Sequence, residues 1–354
     1  MKIWKIVNWP IALSSLLLIS IGILVIYSSS KELALQQLVY TLAGFTIFLF
    51  ISSFDLHSLR KLITPLYFFT ALLLITVLII GIETRGSVRW ISLGFFNIQP
   101  SEFAKPVLIL FLASFWTKKN PTWKNIIKSL IWIFPFFVLI FKQPDLGSSL
   151  TLIAIWIGML LAARVSIRKI LVLTLISAMV IPTSWFFLHE YQKQRIVGFL
   201  TPESDPLGRG YNVIQSTIAV GSGQFFGRGL GRGTQSRLQF LPEFRTDFIF
   251  ASIAEEWGFL GSIIILSIYL YLLIFCLRVC SQIEDKFNFL LILGVFSMLL
   301  FQIFVNIGMN IGILPITGIT LPLISYGGSS LIVTLICLGL VSSAGKYKKR
   351  IDPD

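Results

Sequence analysis

The stretch WPIALSSLLLISIGILVIYS, residues 9–28, contains no charged side chain and decides the fold class. An α-helix rises 1.5 Å per residue, so a run of about 20 residues crosses the roughly 30 Å hydrocarbon core of a bilayer. Similar runs recur along the chain, and each predicts a membrane-spanning helix. The ten predicted spans lie near residues 9–28, 33–53, 62–82, 101–117, 126–141, 146–163, 170–188, 258–280, 287–311 and 328–345. The sequence therefore predicts an all-α integral membrane protein, with residues 1–354 forming a single polytopic membrane domain.

Composition excludes most soluble classes. Of 354 residues, 55% are hydrophobic and only 13% are charged, whereas a soluble domain of this length would expose more charge. The net charge of +13, from 29 Lys and Arg against 16 Asp and Glu, does not indicate nucleic acid as a partner, because cytoplasmic loops of membrane proteins collect basic residues. The three cysteines lie inside apolar runs, and their spacing predicts neither a metal site nor a disulfide.

Loop charge predicts the orientation. Most of the basic residues fall on one side if the N-terminus is cytoplasmic, and an even number of spans returns the C-terminus to the same side. The segment 189–247, between the seventh and eighth spans, then lies outside. This outer loop contains seven basic residues: Lys193, Arg195, Arg209, Arg228, Arg232, Arg237 and Arg245.

The outer loop also contains the glycine-rich run GSGQFFGRGLGRG, residues 221–233. Its arginines suit a lipid diphosphate, since the planar guanidinium donates two hydrogen bonds to phosphate at once. Anionic lipid headgroups are an equally good partner for such a surface. The run is not a P-loop, because the Lys-Ser/Thr pair is missing.

Asp247 lies in FRTDFIFASIAEEWG, residues 244–258, where a polar loop passes into an apolar helix. An acid at this junction can cap the helix and complement its dipole. Beside Arg245 and partly removed from water, the same carboxylate can instead serve as a general base. Both interpretations of Asp247 fit the residues alone.

Three further segments contain polar groups at the predicted outer ends of helices. RGSVRWISLGFFNIQPSEFAK, residues 85–105, provides Arg89, Glu102 and Lys105. Glu102 and Lys105 are i,i+3 neighbours that can simply pair, although a buried amine at membrane depth indicates function. Asp145, in FKQPDLGSSL, is either a helix cap or a site residue. The prolines and glycines of residues 312–327 predict a re-entrant outer segment buried in protein.

Four blocks of this sequence resemble the SEDS family (shape, elongation, division and sporulation). They are NIQPSEFAK, QPDLGSSL, QFLPEFRTDFIFASIAEEWG and NIGMNIGILPITGITLPLISYGGSS, and they occur in the family's order. Details such as GTQSRLQFLPE and PITGITLP resemble the elongation branch more than the division branch. One departure is Arg245, where the family usually has histidine.

The resemblance implies a peptidoglycan glycosyltransferase that polymerises lipid II into glycan strands for cell elongation and rod shape. It implies release of undecaprenyl diphosphate and an active site on the extracytoplasmic face of the bacterial plasma membrane. The family's presumed catalytic aspartate falls on Asp247. The substrate-binding residues predicted with it are Arg89, Glu102, Lys105, Asp145, Arg195, Gln215 and Arg245.

The resemblance further implies a class B penicillin-binding protein as transpeptidase partner, together with the elongation machinery. A divalent cation, Mg²⁺ or Mn²⁺, is expected with the diphosphate, and no organic cofactor. The alternatives are a lipid II flippase, a polymerase of the division branch and a non-catalytic scaffold. The inner loops are basic but without glycine-rich segments, which favours the polymerase over the flippase.

Overall fold

The computed structural model describes residues 7–84, 87–92, 94, 97–188 and 190–347. Three features of the sequence lie outside these ranges: Arg85, His189 and the basic tail after residue 347. The prediction of a cytoplasmic C-terminus rests in part on that tail. The helices of the described part are α1 (Trp9–Ser29), α2 (Lys31–Ser53), α3 (Leu56–Leu59), α4 (Ile63–Ile80), α5 (Pro100–Lys118), α6 (Trp123–Lys142), α7 (Leu146–Ala162), α8 (Ile167–Ser184), α9 (Glu190–Leu200), α10 (Tyr211–Ser222), α11 (Thr234–Arg237), α12 (Ile249–Ser281), α13 (Lys286–Asn310) and α14 (Gly328–Ala344).

Each predicted span coincides with one of these helices. Within the described ranges, six helices are long and apolar enough to cross a membrane, and α7 and α14 are shorter apolar helices. The protein is therefore a multi-pass helical membrane protein. The largest boundary difference is α12, which begins at Ile249 rather than near residue 258. Its first turns hold Glu255 and Glu256, so hydropathy alone does not detect them.

Small residues let the helices pack closely. A β-carbon on Gly294 of α13 would lie 2.8 Å from Ile109 of α5 and 2.9 Å from the sulfur of Met159 of α7. A β-carbon on Gly339 of α14 would lie 3.2 Å from the Phe48 carbonyl oxygen of α2. Glycines at such contacts bring backbones together where lipid supplies no hydrophobic driving force. The contacts of Gly294 place α5, α7 and α13 side by side.

The outer loop contains regular structure that its composition did not indicate, because α9, α10 and α11 all form within it. The glycine-rich run packs its backbone against a break in α12. At Gly258 the φ and ψ angles are 65° and −160°, and the amides of the next two residues, Phe259 and Leu260, donate to carbonyls of the loop. The amides of Arg228 and Gly229 donate to the carbonyls of Glu255 and Glu256, both at 3.0 Å. The loop thus satisfies polar backbone that a membrane would leave unpaired.

A three-stranded antiparallel sheet, β1 (Ile82–Thr84), β2 (Ser87–Ser92) and β3 (Asn97–Ile98), connects α4 to α5. Residues 312–327 form no helix or strand, and apart from the exposed Ile313 they are buried or half-buried. Their polar groups bind the start of the α12 region: Ser325 Oγ donates to the Thr246 carbonyl at 2.6 Å, and the Tyr326 amide donates to the Arg245 carbonyl at 2.9 Å. This segment therefore lies against the chain that leads to Asp247.

Candidate active site

A polar cavity of about 750 Å³ lies where α5, α7, α13 and residues 312–327 meet. It is lined by side chains from the sheet, the outer loop and the helix ends. Six of the residues predicted from sequence line it: Arg89, Glu102, Lys105, Asp145, Arg195 and Asp247. These residues span more than 150 positions in the sequence, so only the packing of the helices brings them together.

Asp247 is half-buried at the cavity wall, two residues before α12 begins. Its backbone carbonyl accepts hydrogen bonds from the Nδ2 atoms of Asn306, at 2.9 Å, and Asn310, at 3.0 Å. The second hydrogen of the Asn306 amide goes to the Ile319 carbonyl at 2.7 Å. The Asn306 side chain therefore links the Asp247 backbone to residues 312–327. This link fixes the position of the backbone from which the Asp247 carboxylate extends.

The carboxylate of Asp247 and the guanidinium of Arg195 converge beside Gly318. A β-carbon built on Gly318 would lie 3.6 Å from Asp247 Oδ2 and 3.8 Å from Arg195 Nη1. Gly318 also has φ of +76°, a conformation that other residues rarely adopt. Burial lowers the pKa of Arg195 below its ordinary value, and the negative charge of Asp247 acts in the opposite direction. The carboxylate thus has a partly desolvated cation as its neighbour.

Asp145 both caps α7 and lines the cavity. Its Oδ1 accepts from the Ser148 amide at 3.1 Å, and its Oδ2 accepts from Gln99 Nε2 at 3.0 Å and Ser101 Oγ at 3.2 Å. Arg89 Nη1 lies 3.8 Å from Oδ1, while Arg89 Nε donates to the Gln143 carbonyl at 3.0 Å. The capping role and the site position predicted for Asp145 are therefore compatible.

Glu102 and Lys105 pair at 2.5 Å, with side chains 8% and 3% exposed. Breaking a buried pair by removing one partner leaves an uncompensated charge, which is strongly destabilising. The pair is thus a fixed feature of the cavity wall. Among the lining residues the cations are Arg89, Lys105 and Arg195, and the carboxylates are Glu102, Asp145, Glu243 and Asp247.

Gln215 and Arg245 do not line this cavity. Gln215 lies on α10, and Arg245 donates from Nε to Ser29 Oγ at 2.8 Å, with its guanidinium over the Phe244 ring. The loop arginines Arg228 and Arg237 are exposed and bind within their own loop, and neither lines the cavity. Of the seven basic residues of the outer loop, only Arg195 lines it.

Sequence reasoning missed the polar residues of α13. Gln302, Asn306 and Asn310 follow each other at i, i+4 and i+8 in the otherwise apolar second half of α13, and this spacing places them on one face. This stripe of amides could have indicated the site from the sequence, since uncharged amides at membrane depth need hydrogen-bond partners. The asparagines hold Asp247, and Gln302 lines the cavity.

No three His, Cys, Asp or Glu side chains of the described ranges converge to hold a metal ion. The cavity carboxylates Glu102 and Asp145 are already engaged with cations. These residues do not form a protein cage for a divalent cation.

Comparison with known proteins agrees with the blocks seen in the sequence. The profile of the FtsW/RodA/SpoVE family, described as cell cycle proteins, matches residues 3–350. The chain is 43% identical over 289 residues to the peptidoglycan glycosyltransferase MrdB of Escherichia coli strain K12, covering 81% of this chain and 78% of that protein. It is 34% identical over 420 residues to the peptidoglycan glycosyltransferase RodA of Treponema pallidum, and the match covers 95% of this chain and 96% of that protein.

The fold has a close counterpart among solved structures. One chain of a structure described as showing the coordination of polymerization and crosslinking by a peptidoglycan synthase complex superposes with a TM-score of 0.84. It is 32% identical and covers 97% of this chain and 99% of that chain. By sequence and by fold, this chain belongs to the FtsW/RodA/SpoVE family, the SEDS family, and is RodA-like.

Proposed function

We propose that this protein polymerises lipid II into glycan strands, with release of undecaprenyl diphosphate, on the outer face of the bacterial plasma membrane. Its curated relatives are named peptidoglycan glycosyltransferases, and RodA-like membership corresponds to cell elongation. The observation that carries the proposal is the single cavity that places the Asp247 carboxylate with Arg89, Lys105 and Arg195.

In the proposed reaction, Asp247 takes the proton from the 4-hydroxyl of the acceptor sugar. The freed oxygen bonds to the anomeric carbon of the donor with inversion, while the bond from that carbon to the diphosphate breaks. Arg89, Lys105 and Arg195 stabilise the charge on the departing diphosphate, an electrostatic contribution that is usually the largest in catalysis. A divalent cation would arrive with the diphosphate, since the described residues form no cage for one.

The proposed topology has ten spans: α1, α2, α4–α8 and α12–α14. Both termini are then cytoplasmic, and residues 189–247 and 312–327 lie outside. The cavity contains the first turns of α5 and α7 and the last turns of α13, which share one end of the bundle with these segments. Lipid chains of both substrates would lie between helices, with the sugars at the surface.

A flippase is the second candidate, since charges between helices suit it too. It would require a polar route through the bilayer, whereas the polar lining of this cavity comes from one end of α5, α7 and α13. The polymerase is therefore favoured. A class B penicillin-binding protein is the proposed partner, supported by the related chain from a peptidoglycan synthase complex.

The deciding experiment incubates the purified protein and its transpeptidase-blocked partner with labelled lipid II. We expect glycan strands on a gel, with none formed by the Asp247→Asn variant. Unpolymerised lipid II, under conditions in which a related polymerase works, would contradict the proposal. Transfer of lipid II across proteoliposomes without polymer would identify the flippase instead.

Replacing either Arg89 or Lys105 is expected to weaken diphosphate recognition. Loss of a charge-assisted contact costs about 1.5–3 kcal/mol, or roughly one to two decades in rate at subsaturating lipid II. Wild-type turnover by folded Arg89→Ala and Lys105→Ala would remove both residues from the site.

Lys105→Ala alone also leaves Glu102 buried without its cation, so its loss of activity has two causes. The double variant Glu102→Gln/Lys105→Met separates them, because it removes both charges together. We expect the double variant to recover the melting temperature but not the polymerisation rate. Recovery of both would show that the pair acts only on stability.

A further inference from the structure

Gln302 lies on α13, and its amide oxygen accepts no hydrogen bond from the part of the chain that the structure describes. The side chain is 2% exposed, and its Oε1 has no hydrogen-bond partner among the described residues. Buried polar atoms in native proteins are nearly always paired, so each exception calls for an explanation. Gln302 also lines the candidate active-site cavity. The unpaired group therefore belongs to a residue at the proposed substrate site.

Its place in the cavity follows from helix packing. Gly294 of α13 meets Ile109 of α5 and Met159 of α7. Gln302 is eight residues further along α13, about 12 Å towards the cavity end. Since the cavity holds the first turns of α5 and α7, Gln302 comes level with Glu102 and Thr151.

The neighbouring polar residues already have partners. Lys105 pairs with Glu102, and the Thr151 hydroxyl donates to the Gly147 carbonyl at 2.9 Å. Further along α13, Asn306 and Asn310 bind the Asp247 carbonyl. Of the three amides in the α13 stripe, Gln302 is the one that lines the cavity and whose oxygen has no partner among the described residues.

The chemistry of that oxygen limits what can bind it. Whichever way the amide is turned, its carbonyl oxygen requires a hydrogen donor. The oxygens of a diphosphate diester carry no hydrogen at neutral pH, so the diphosphate cannot satisfy it. A sugar hydroxyl or an acetamido N–H can.

We propose that Gln302 is a substrate-recognition residue, whose amide accepts a hydrogen bond from a hydroxyl or acetamido N–H of a lipid-linked amino sugar. The inference rests on the proposed function and names a sugar subsite within the same cavity. A site built to bond a hydroxyl or N–H rejects analogues that lack it, because its own buried polar group is then left unpaired. Gln302 thus contributes to selection of the sugar, while the cations bind the diphosphate.

The test compares Gln302→Met with the wild-type protein, because methionine keeps the length of the side chain and removes the amide. We expect kcat/KM for lipid II to fall about 10- to 100-fold. We also expect the melting temperature of the substrate-free protein to stay the same or rise, since an unpaired buried acceptor is removed. A structural glutamine would give the opposite change in melting temperature.

A second readout does not depend on turnover. In the Asp247→Asn background, lipid II should raise the melting temperature, and Gln302→Met should reduce that shift at equal lipid II concentration. The matched control is Asn288→Leu, on the same helix. Asn288 is buried, its Oδ1 also has no partner among the described residues, and it does not line the cavity. This control should keep wild-type kcat/KM and the full lipid II shift.

The outcomes separate the two proposals. A wild-type protein that makes no glycan contradicts the proposed function, whereas a reduced lipid II shift in Gln302→Met still supports the sugar subsite. Wild-type kcat/KM together with a full shift in Gln302→Met would overturn the subsite. A lower melting temperature of substrate-free Gln302→Met would overturn it as well, because it would show a structural role.

Discussion

Asp247→Asn is expected to lower the rate of glycan polymerisation by about 10²–10⁴-fold, the usual effect of losing a general base. Asparagine has the shape of aspartate and caps helices about as well, but it cannot accept the proton of the acceptor hydroxyl. The backbone carbonyl that Asn306 and Asn310 hold is unchanged by the substitution. The variant should therefore insert, bind its partner and keep its melting temperature.

The assay is strand formation from labelled lipid II, measured beside the melting temperature of each variant in detergent. Asp205→Asn is the matched control, since Asp205 is an exposed acid of the same outer loop that does not line the cavity. It should polymerise at the wild-type rate. Near-normal glycan synthesis by well-folded Asp247→Asn would end the catalytic assignment and leave Asp247 a structural role.

Gly258→Ala is expected to lower the melting temperature sharply or to prevent recovery of folded protein. With φ of 65° and ψ of −160°, the backbone there is in a region that is essentially restricted to glycine and costs other residues about 1–3 kcal/mol. The added β-carbon would also lie 2.3 Å from the amide nitrogen of Gly227. Because the backbone fixes the position of a β-carbon and the nitrogen is itself a backbone atom, no rotation of a side chain can relieve the contact.

Gly221→Ala is the control for the general effect of replacing glycine in this region. Gly221 lies in the last turn of α10, and a β-carbon there meets nothing within 4 Å. Its melting temperature should stay the same or rise slightly, because alanine favours helix by about 0.5–1 kcal/mol. If Gly258→Ala has the same melting temperature as the wild-type protein, the packing of the glycine-rich run on the α12 break does not contribute to stability.

The residues also show how far the sequence could predict the site. Asp247, Arg89 and Lys105 were recognisable because charge at a membrane boundary is costly and needs a reason. Arg195 could not be told from the other basic residues of the outer loop by composition, although it alone among the seven lines the cavity. Arg245 lies two residues before Asp247, yet its side chain donates to Ser29 and does not line the cavity.

Hydropathy determined the helical membrane class and the position of each long apolar helix. The thickness of the bilayer sets a minimum length for a run of apolar residues, and such a run is visible in the sequence itself. The four sequence blocks determined the family. Tertiary structure alone decided that the glycine-rich run supplies hydrogen bonds to the backbone beside the break at Gly258. It also decided that two asparagines of the α13 stripe bind the Asp247 carbonyl, whereas the glutamine lines the cavity. The physical reason is that these relations join residues far apart in the chain, through backbone geometry and hydrogen-bond partners that no local pattern specifies.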